Sequence, residues 1–151
     1  MAVKVKMDPI SMRSVSGNLE KVYYNGRAAG AVGLNRFAKR IIAHSQRLVP
    51  YDTGALHDSA YVDESRYGFS AVKVDFGYCG QDGRHAKINP RTGKSTASYV
   101  VDQHETLWYE HFGRGEAKFL EKPIMIARFD MAEYVGNTIA GALKAMSFKM
   151  R

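Results

Sequence analysis

Hydrophobic positions recur at helical spacing over two long stretches of the chain and alternate over a shorter one between them. Leu34, Phe37, Ile41 and Leu48 fall at spacings of three, four and seven, Ile42 and Val49 widen the same stripe, and Arg36, Lys39, Arg40 and Arg47 stand mostly outside it. The pattern predicts an amphipathic helix running from about Asn18 to Val49. Pro50 supplies the stop, because its ring disfavours helical geometry in the residue before it and offers no amide donor. Gly26, Gly30 and Gly33 weaken the first half, which leaves a broken helix and a late start both open. Past Pro123, which suits a first helical turn, the residues Ile124, Ala127, Met131, Tyr134, Val135, Thr138, Ile139, Ala142, Leu143 and Met146 repeat at three and four and predict a second long helix.

Between the helices, Leu56, Ala60 and Val62 and then Val72, Val74, Phe76 and Tyr78 predict two strands, the second alternating with Lys73 and Asp75. Arg66-Tyr67-Gly68-Phe69 is the expected hairpin connection. A lone hairpin is marginal in water, so its apolar face needs the helices over it. Tyr99 to Phe112 fits two registers: Val100, Gln103 and Leu107 suit a helix, whereas Val101 and Leu107-Trp108-Tyr109 suit a strand, and a short helix or turn leading into an extended segment is the reading adopted. Residues 1–17, with Pro9, Gly17 and several serines, have no sustained period and are expected to form a flexible N-terminal arm holding one short strand. The expected fold is α+β: a small antiparallel β-sheet packed against two long α-helices, with residues 18–151 as one domain and a long loop at about 80–98.

Composition agrees with a folded domain. The 151 residues are 45% hydrophobic and 25% charged, far from the low-apolar signature of disorder, and long enough to bury a core without metal or disulfide staples. No stretch is long and apolar enough to suggest a membrane span, and the opening Met-Ala-Val-Lys-Val-Lys-Met-Asp lacks the apolar core of a secretory signal. A lone Cys79 fits a reducing compartment. The net charge is +7 and the pI about 9.5, a balance that suits nucleic acid and acidic protein partners alike. Its densest basic stretch, Arg84, Lys87, Arg91 and Lys94, lies in the long loop beside Gly83, Pro90 and Gly93 and has no interleaved aromatic to stack bases.

Candidate chemistry is sparse. Asp52-Thr53-Gly54 is the triplet of aspartic proteases, in which two aspartates share one proton and activate water. With one triplet such an enzyme would have to be a dimer, and Val49-Pro50-Tyr51 reads as a helix stop instead of the apolar strand that delivers a catalytic aspartate. In the competing reading Asp52 or Thr53 caps a turn and Gly54 takes a backbone angle that other residues resist. His104-Glu105 lacks the second histidine of a zinc protease, since position 108 is Trp, and no glycine-rich segment follows a strand as a phosphate cradle does. No cofactor and no metal is expected, and no catalytic residue is assigned.

Three spaced segments together resemble one family. Val49-Pro50-Tyr51-Asp52-Thr53-Gly54-Ala55-Leu56-His57-Asp58-Ser59 is similar to the V-P-x-D-T-G-x-L-x-x-S signature of tailed-phage neck, minor capsid and tail-completion proteins. Tyr99 followed by Gln103-His104-Glu105 resembles that family's segment after the hairpin, and Gly115-Glu116-Ala117-Lys118-Phe119-Leu120-Glu121-Lys122-Pro123 its G-x-A-K-F-L-x-x-P entry into the last helix. The likeness covers roughly residues 30–146; Val100, the length of the loop and the arm 1–17 depart from it. It implies a non-enzymatic virion component at the head–tail junction, made in the bacterial cytoplasm and assembled as a sixfold or twelvefold homo-oligomeric ring. Neighbouring connector, stopper or tail-terminator proteins would be its partners, and exiting DNA a non-specific contact. In such a ring Pro50, Asp52, Thr53, Gly54, Leu56 and Ser59 would form the signature turn. His104, Glu105, Trp108, Tyr109, Phe112, Lys118 and Phe119 would be interface candidates, with burial in the core of one subunit the equal alternative for Phe119 and Leu120, and the four loop cations contacts to a neighbour. Two expectations of other classes remain beside it: the dimeric aspartic protease using Asp52 and a basic DNA-binding accessory protein.

Overall fold

A computed structural model of the chain describes residues 9–63, 66–67, 71–107 and 115–149. It is an α+β structure dominated by one helix, α1, which runs unbroken from Pro9 to Leu48 over 40 residues, about 60 Å at the usual helical rise. The first correction to the sequence reading lies here. Residues 9–17, expected in an arm with a short strand, belong to α1, and the helix starts well before Asn18. Pro9 is at home in the first turn, and once a turn exists each further residue adds an intrahelical bond, which offsets the cost of Gly17. The stop is as expected: Val49 N–H makes the last bond, to Ser45 O at 2.9 Å, and Pro50 follows.

Gly30 and Gly33 do not break α1 because a second helix lies against them. This helix, α4 (Met131–Lys149), runs antiparallel to α1, with Arg40 reaching Asp130 at 3.9 Å and Phe37 beside Tyr134 with ring centroids 5.9 Å apart. A Cβ on Gly33 would stand 3.3 Å from both Thr138 Cβ and Val135 Cα, so the absent side chain is what lets the two backbones approach. The second correction concerns α4's start. The periodic run past Pro123 is two helices, α3 (Glu121–Ala127) and α4, joined by a turn at residues 128–130. Ile124 and the buried Ala127 pack on Phe37 and Ile41, and the turn then redirects the chain along α1. Both pieces carry three-and-four spacing, so periodicity alone does not reveal the corner.

The hairpin is an interrupted ladder. β1 (Ala60–Val62) pairs antiparallel with β4 (Phe76–Tyr78), Ala60 opposite Tyr78 and Val62 opposite Phe76. β2 (Arg66–Tyr67) pairs with β3 (Val72–Lys73), and Asp63 N–H to Asp75 O at 2.8 Å links the two ladders. Arg66 and Tyr67, expected in the connection, are therefore strand residues, and Leu56, expected at a strand start, sits in the turn before a short 3-10 helix at His57–Ser59. Tyr99 onward resolves as helix α2 (Val100–Glu105), followed by an extended Thr106. Trp108, Tyr109 and Phe112 lie outside the described residues. One core joins Ile42, Val49, Leu56, Tyr78, Cys79 and Phe119; a second joins Phe37, Ile41 and Ala127; Phe76 and Leu120 pack against both.

Candidate functional site

The three segments that carry the family resemblance meet in space, at the end of α1 away from Pro9. Val49 is fully buried, and Glu116 N–H reaches back to Leu48 O at 2.8 Å. Gly115 adopts φ 119°, and a Cβ there would lie 2.3 Å from Pro50 Cα, so only glycine lets the two backbones abut. Gly54 turns the chain with φ 83°, its carbonyl accepting from Asp58 N–H at 2.8 Å. Leu56 then enters the core, and the buried Ser59 hydroxyl donates to Leu56 O at 2.6 Å while Cys79 Sγ stands 3.5 Å from Ser59 Oγ. Pro50, Gly54, Leu56 and Ser59 thus have structural work in the turn. Thr53 lines the cleft described below. Asp52 is half exposed, with Arg91 Nη1 2.8 Å from its Oδ1.

That ion pair ties the turn to the long loop, which is folded. Asn89, almost fully buried, accepts at Oδ1 from Arg91 N–H (2.9 Å) and Thr92 N–H (3.4 Å), while its own N–H donates to Lys94 O at 2.8 Å. A bridge pairs Ile88 with Ser95, and Thr96 leads a 3-10 turn through Ser98. Thr96 is wholly buried, its Oγ1 accepting from Lys87 N–H at 2.9 Å and from the Cys79 thiol at 3.2 Å. Of the four loop cations, Arg91 meets Asp52 and Arg84 meets Asp63 at 2.7 Å, whereas Lys87 and Lys94 are exposed. Tyr61 stacks flat on His85 with centroids 4.4 Å apart, and His85 Nε2 stands 3.1 Å from Asp63 Oδ1.

The third segment forms a clasp between α2 and α3. His104 Nε2 accepts from Glu121 N–H at 3.3 Å, which leaves the ring proton on Nδ1 to be donated to Glu105 Oε1 at 2.7 Å. Lys118, at φ 59°, donates its backbone N–H to His104 O at 2.7 Å and its ammonium to Glu105 and to Glu121, the latter at 2.9 Å. The Lys118 hydrogen bond, then that of His104, holds the Glu105 carboxyl below its usual range; Glu105, then Glu121, raises Lys118. Phe119 requires a correction. It was expected among subunit-interface anchors, but it is 1% exposed and forms the middle of the core, edge-to-face with Tyr78 at 5.1 Å and with His104 at 4.9 Å. An aromatic flanked by Ala117 and Leu120 has too much apolar company to be left at a surface.

A cleft of about 350 Å³ lies where turn, loop and α2 converge, lined among others by Asp52, Thr53, Asn89, Lys94, Tyr99 and Gln103. Among the described residues no group of three His, Cys, Asp or Glu could hold a metal, and no helix is long and apolar enough to cross a membrane. Several contacts were not read from the sequence. The buried Ser45 and Tyr78 hydroxyls bond at 2.9 Å, and burial pushes the Tyr78 phenol up to about 12, against a smaller lowering by Ser45. Met12, Val15, Leu19 and Val22 are exposed on α1. Their spacing of three, four and three is a signal that could have been found. Comparison with known protein families, characterised proteins and solved structures yields no match to this chain.

Proposed function

We propose that the chain is a structural component of the head–tail connector of a tailed bacteriophage, a ring-forming protein that joins capsid or portal to tail. What supports the reading is that three segments resembling one family's signature, far apart in sequence, lock together, the first and third through Pro50 and Gly115 and the second and third through His104, Glu105 and Lys118. Within them the chemistry is steric and hydrogen-bonding: backbone abutment, a left-handed glycine, a buried serine and a carboxylate clasp. Asp52, the residue on which a protease would depend, faces an arginine in a half-exposed position. A paired-aspartate mechanism would take its second carboxylate from another copy of the chain. A ring has no use for such a pair; it needs two surfaces that fit each other.

The decisive experiment is native mass spectrometry of the purified chain over a concentration series, together with immunogold labelling of particles of the phage that encodes it. The expected outcome is a closed oligomer and label at the head–tail junction. Particles that lack the polypeptide, or a peptidase activity that disappears in Asp52→Asn, would overturn the proposal.

A further inference from the structure

The positive charge of the chain is gathered on one element. From Lys21 to Tyr51 there are six Lys and Arg and no Asp or Glu, so this stretch holds six of the seven net positive charges of the whole protein. Everywhere else the two signs nearly cancel. The long loop shows what cancellation looks like: Arg91 meets Asp52 at 2.8 Å and Arg84 meets Asp63 at 2.7 Å.

Four of the six, Arg36, Lys39, Arg40 and Arg47, lie in the second half of α1, and all four are exposed. At the usual helical turn per residue they fall within an arc of about 100° and span roughly 16 Å of the axis. That arc is opposite the side on which Phe37, Ile41, Ile42 and Ser45 are buried. Among the described residues the acidic neighbour of this face is Asp130, 3.9 Å from Arg40, in a pair so exposed that water screens most of its attraction. Arg36, Lys39 and Arg47 have no described carboxylate in reach. Arg36 stands three positions from Lys39 and four from Arg40, and like charges at these spacings cost a helix stability. The helix dipole accounts for Arg47 alone, since its field fades within the last turn. Nothing described in the molecule offsets Arg36 and Lys39.

We infer that this face of α1 is a docking surface for the phosphate backbone of duplex DNA. The inference goes beyond the ring reading and does not need it. The composition of the face chooses the partner. An acidic protein would need apolar or aromatic anchors amid the charges, yet the other exposed positions from Val32 to Arg47 are Val32, Ala43 and His44. A single strand would need aromatic faces for its bases, and the only Phe, Tyr or Trp in that span, Phe37, is buried. Duplex DNA needs neither. Roughly 16 Å of its axis carries about ten phosphates, enough for all four cations to be met at once. Duplex RNA offers the same charge, but its major groove is deep and narrow, whereas that of B-form DNA is about 12 Å wide and admits a helix between its phosphate rims. Contacts to phosphate alone carry no sequence information, so binding is indifferent to sequence and steeply weakened by salt.

The test is fluorescence anisotropy of a labelled duplex of about 20 base pairs and arbitrary sequence, titrated with the full chain from about 50 to about 200 mM NaCl. Four phosphate contacts should lower the affinity at least about a hundredfold over that range. Arg36→Gln combined with Lys39→Gln should halve the slope of log affinity against log salt and weaken binding at least about tenfold at the lower salt. Lys87→Gln combined with Lys94→Gln removes the same charge from exposed loop positions and should leave the slope as it is. Folding of each variant is checked by circular dichroism, and Arg36→Ala with Arg47→Ala repeats the test should the first pair fail to fold. Absence of binding at the lower salt, a slope that the α1 variants leave unchanged, or an equal fall in the loop variant would overturn the inference. So would competition by polyglutamate as effective as that by unlabelled duplex, which would assign the face to an acidic protein, or tighter binding to the same duplex made of RNA. None of these outcomes touches the ring reading, which native mass spectrometry decides separately.

Discussion

Gly115 and Tyr78 show how single positions hold the clasp and the core. Since a Cβ at Gly115 would overlap Pro50 at 2.3 Å and the backbone there has φ 119°, Gly115→Ala must push the two segments apart. Urea unfolding should show a loss of about 2–4 kcal/mol, more than a helical glycine replacement costs. Tyr78 gives a pH signature. In the folded chain its phenol ionises only near pH 12, while in the unfolded chain it does so near 10. The stabilisation from its buried neutral hydroxyl is therefore complete below pH 10 and is lost as pH rises from 10 toward 12. The midpoint of urea unfolding should fall over that window, and Tyr78→Phe should flatten the fall while leaving Ser45 without its partner, at about 1–2 kcal/mol near neutrality.

The helices illustrate how one residue type takes opposite roles along a single element. Gly17 has open space around its missing side chain, so Gly17→Ala should stabilise α1 by about 0.5–1 kcal/mol. Gly33 faces α4 at 3.3 Å, and Gly33→Leu should cost about 2–3 kcal/mol by forcing the helices apart; both variants can be ranked by chemical denaturation. These helices also show what could be read from sequence. The end of α1 was legible because Pro50 is a local signal, as was the buried stripe of Phe37, Ile41 and Ile42. The start of α1 was missed although Met12, Val15, Leu19 and Val22 carry helical spacing, because Gly17 and the serines interrupt that stripe and its side chains are exposed. The corner between α3 and α4 stayed hidden, since helical period survives a change of direction. In the candidate site, the Gly54 turn was legible from Pro50 and Gly54, whereas Asp52 with Arg91 and Gly115 against Pro50 are tertiary contacts with no local signal. Phe119 stayed open between interface and core for a related reason: an aromatic residue suits both equally well, and the structure buries it.

At the scale of the whole molecule, the two cores are not independent, because Phe76 and Leu120 pack against both. Thermal unfolding followed by circular dichroism and by tyrosine absorbance should therefore coincide in one transition. Phe119→Ala should destabilise that single transition by about 3–5 kcal/mol instead of splitting it. The abutment of Pro50 and Gly115 has an evolutionary corollary. With room at that crossing for nothing larger than hydrogen, neither strand of the crossing can drift alone. Descendants of this gene should trade substitutions there in matched pairs or not at all.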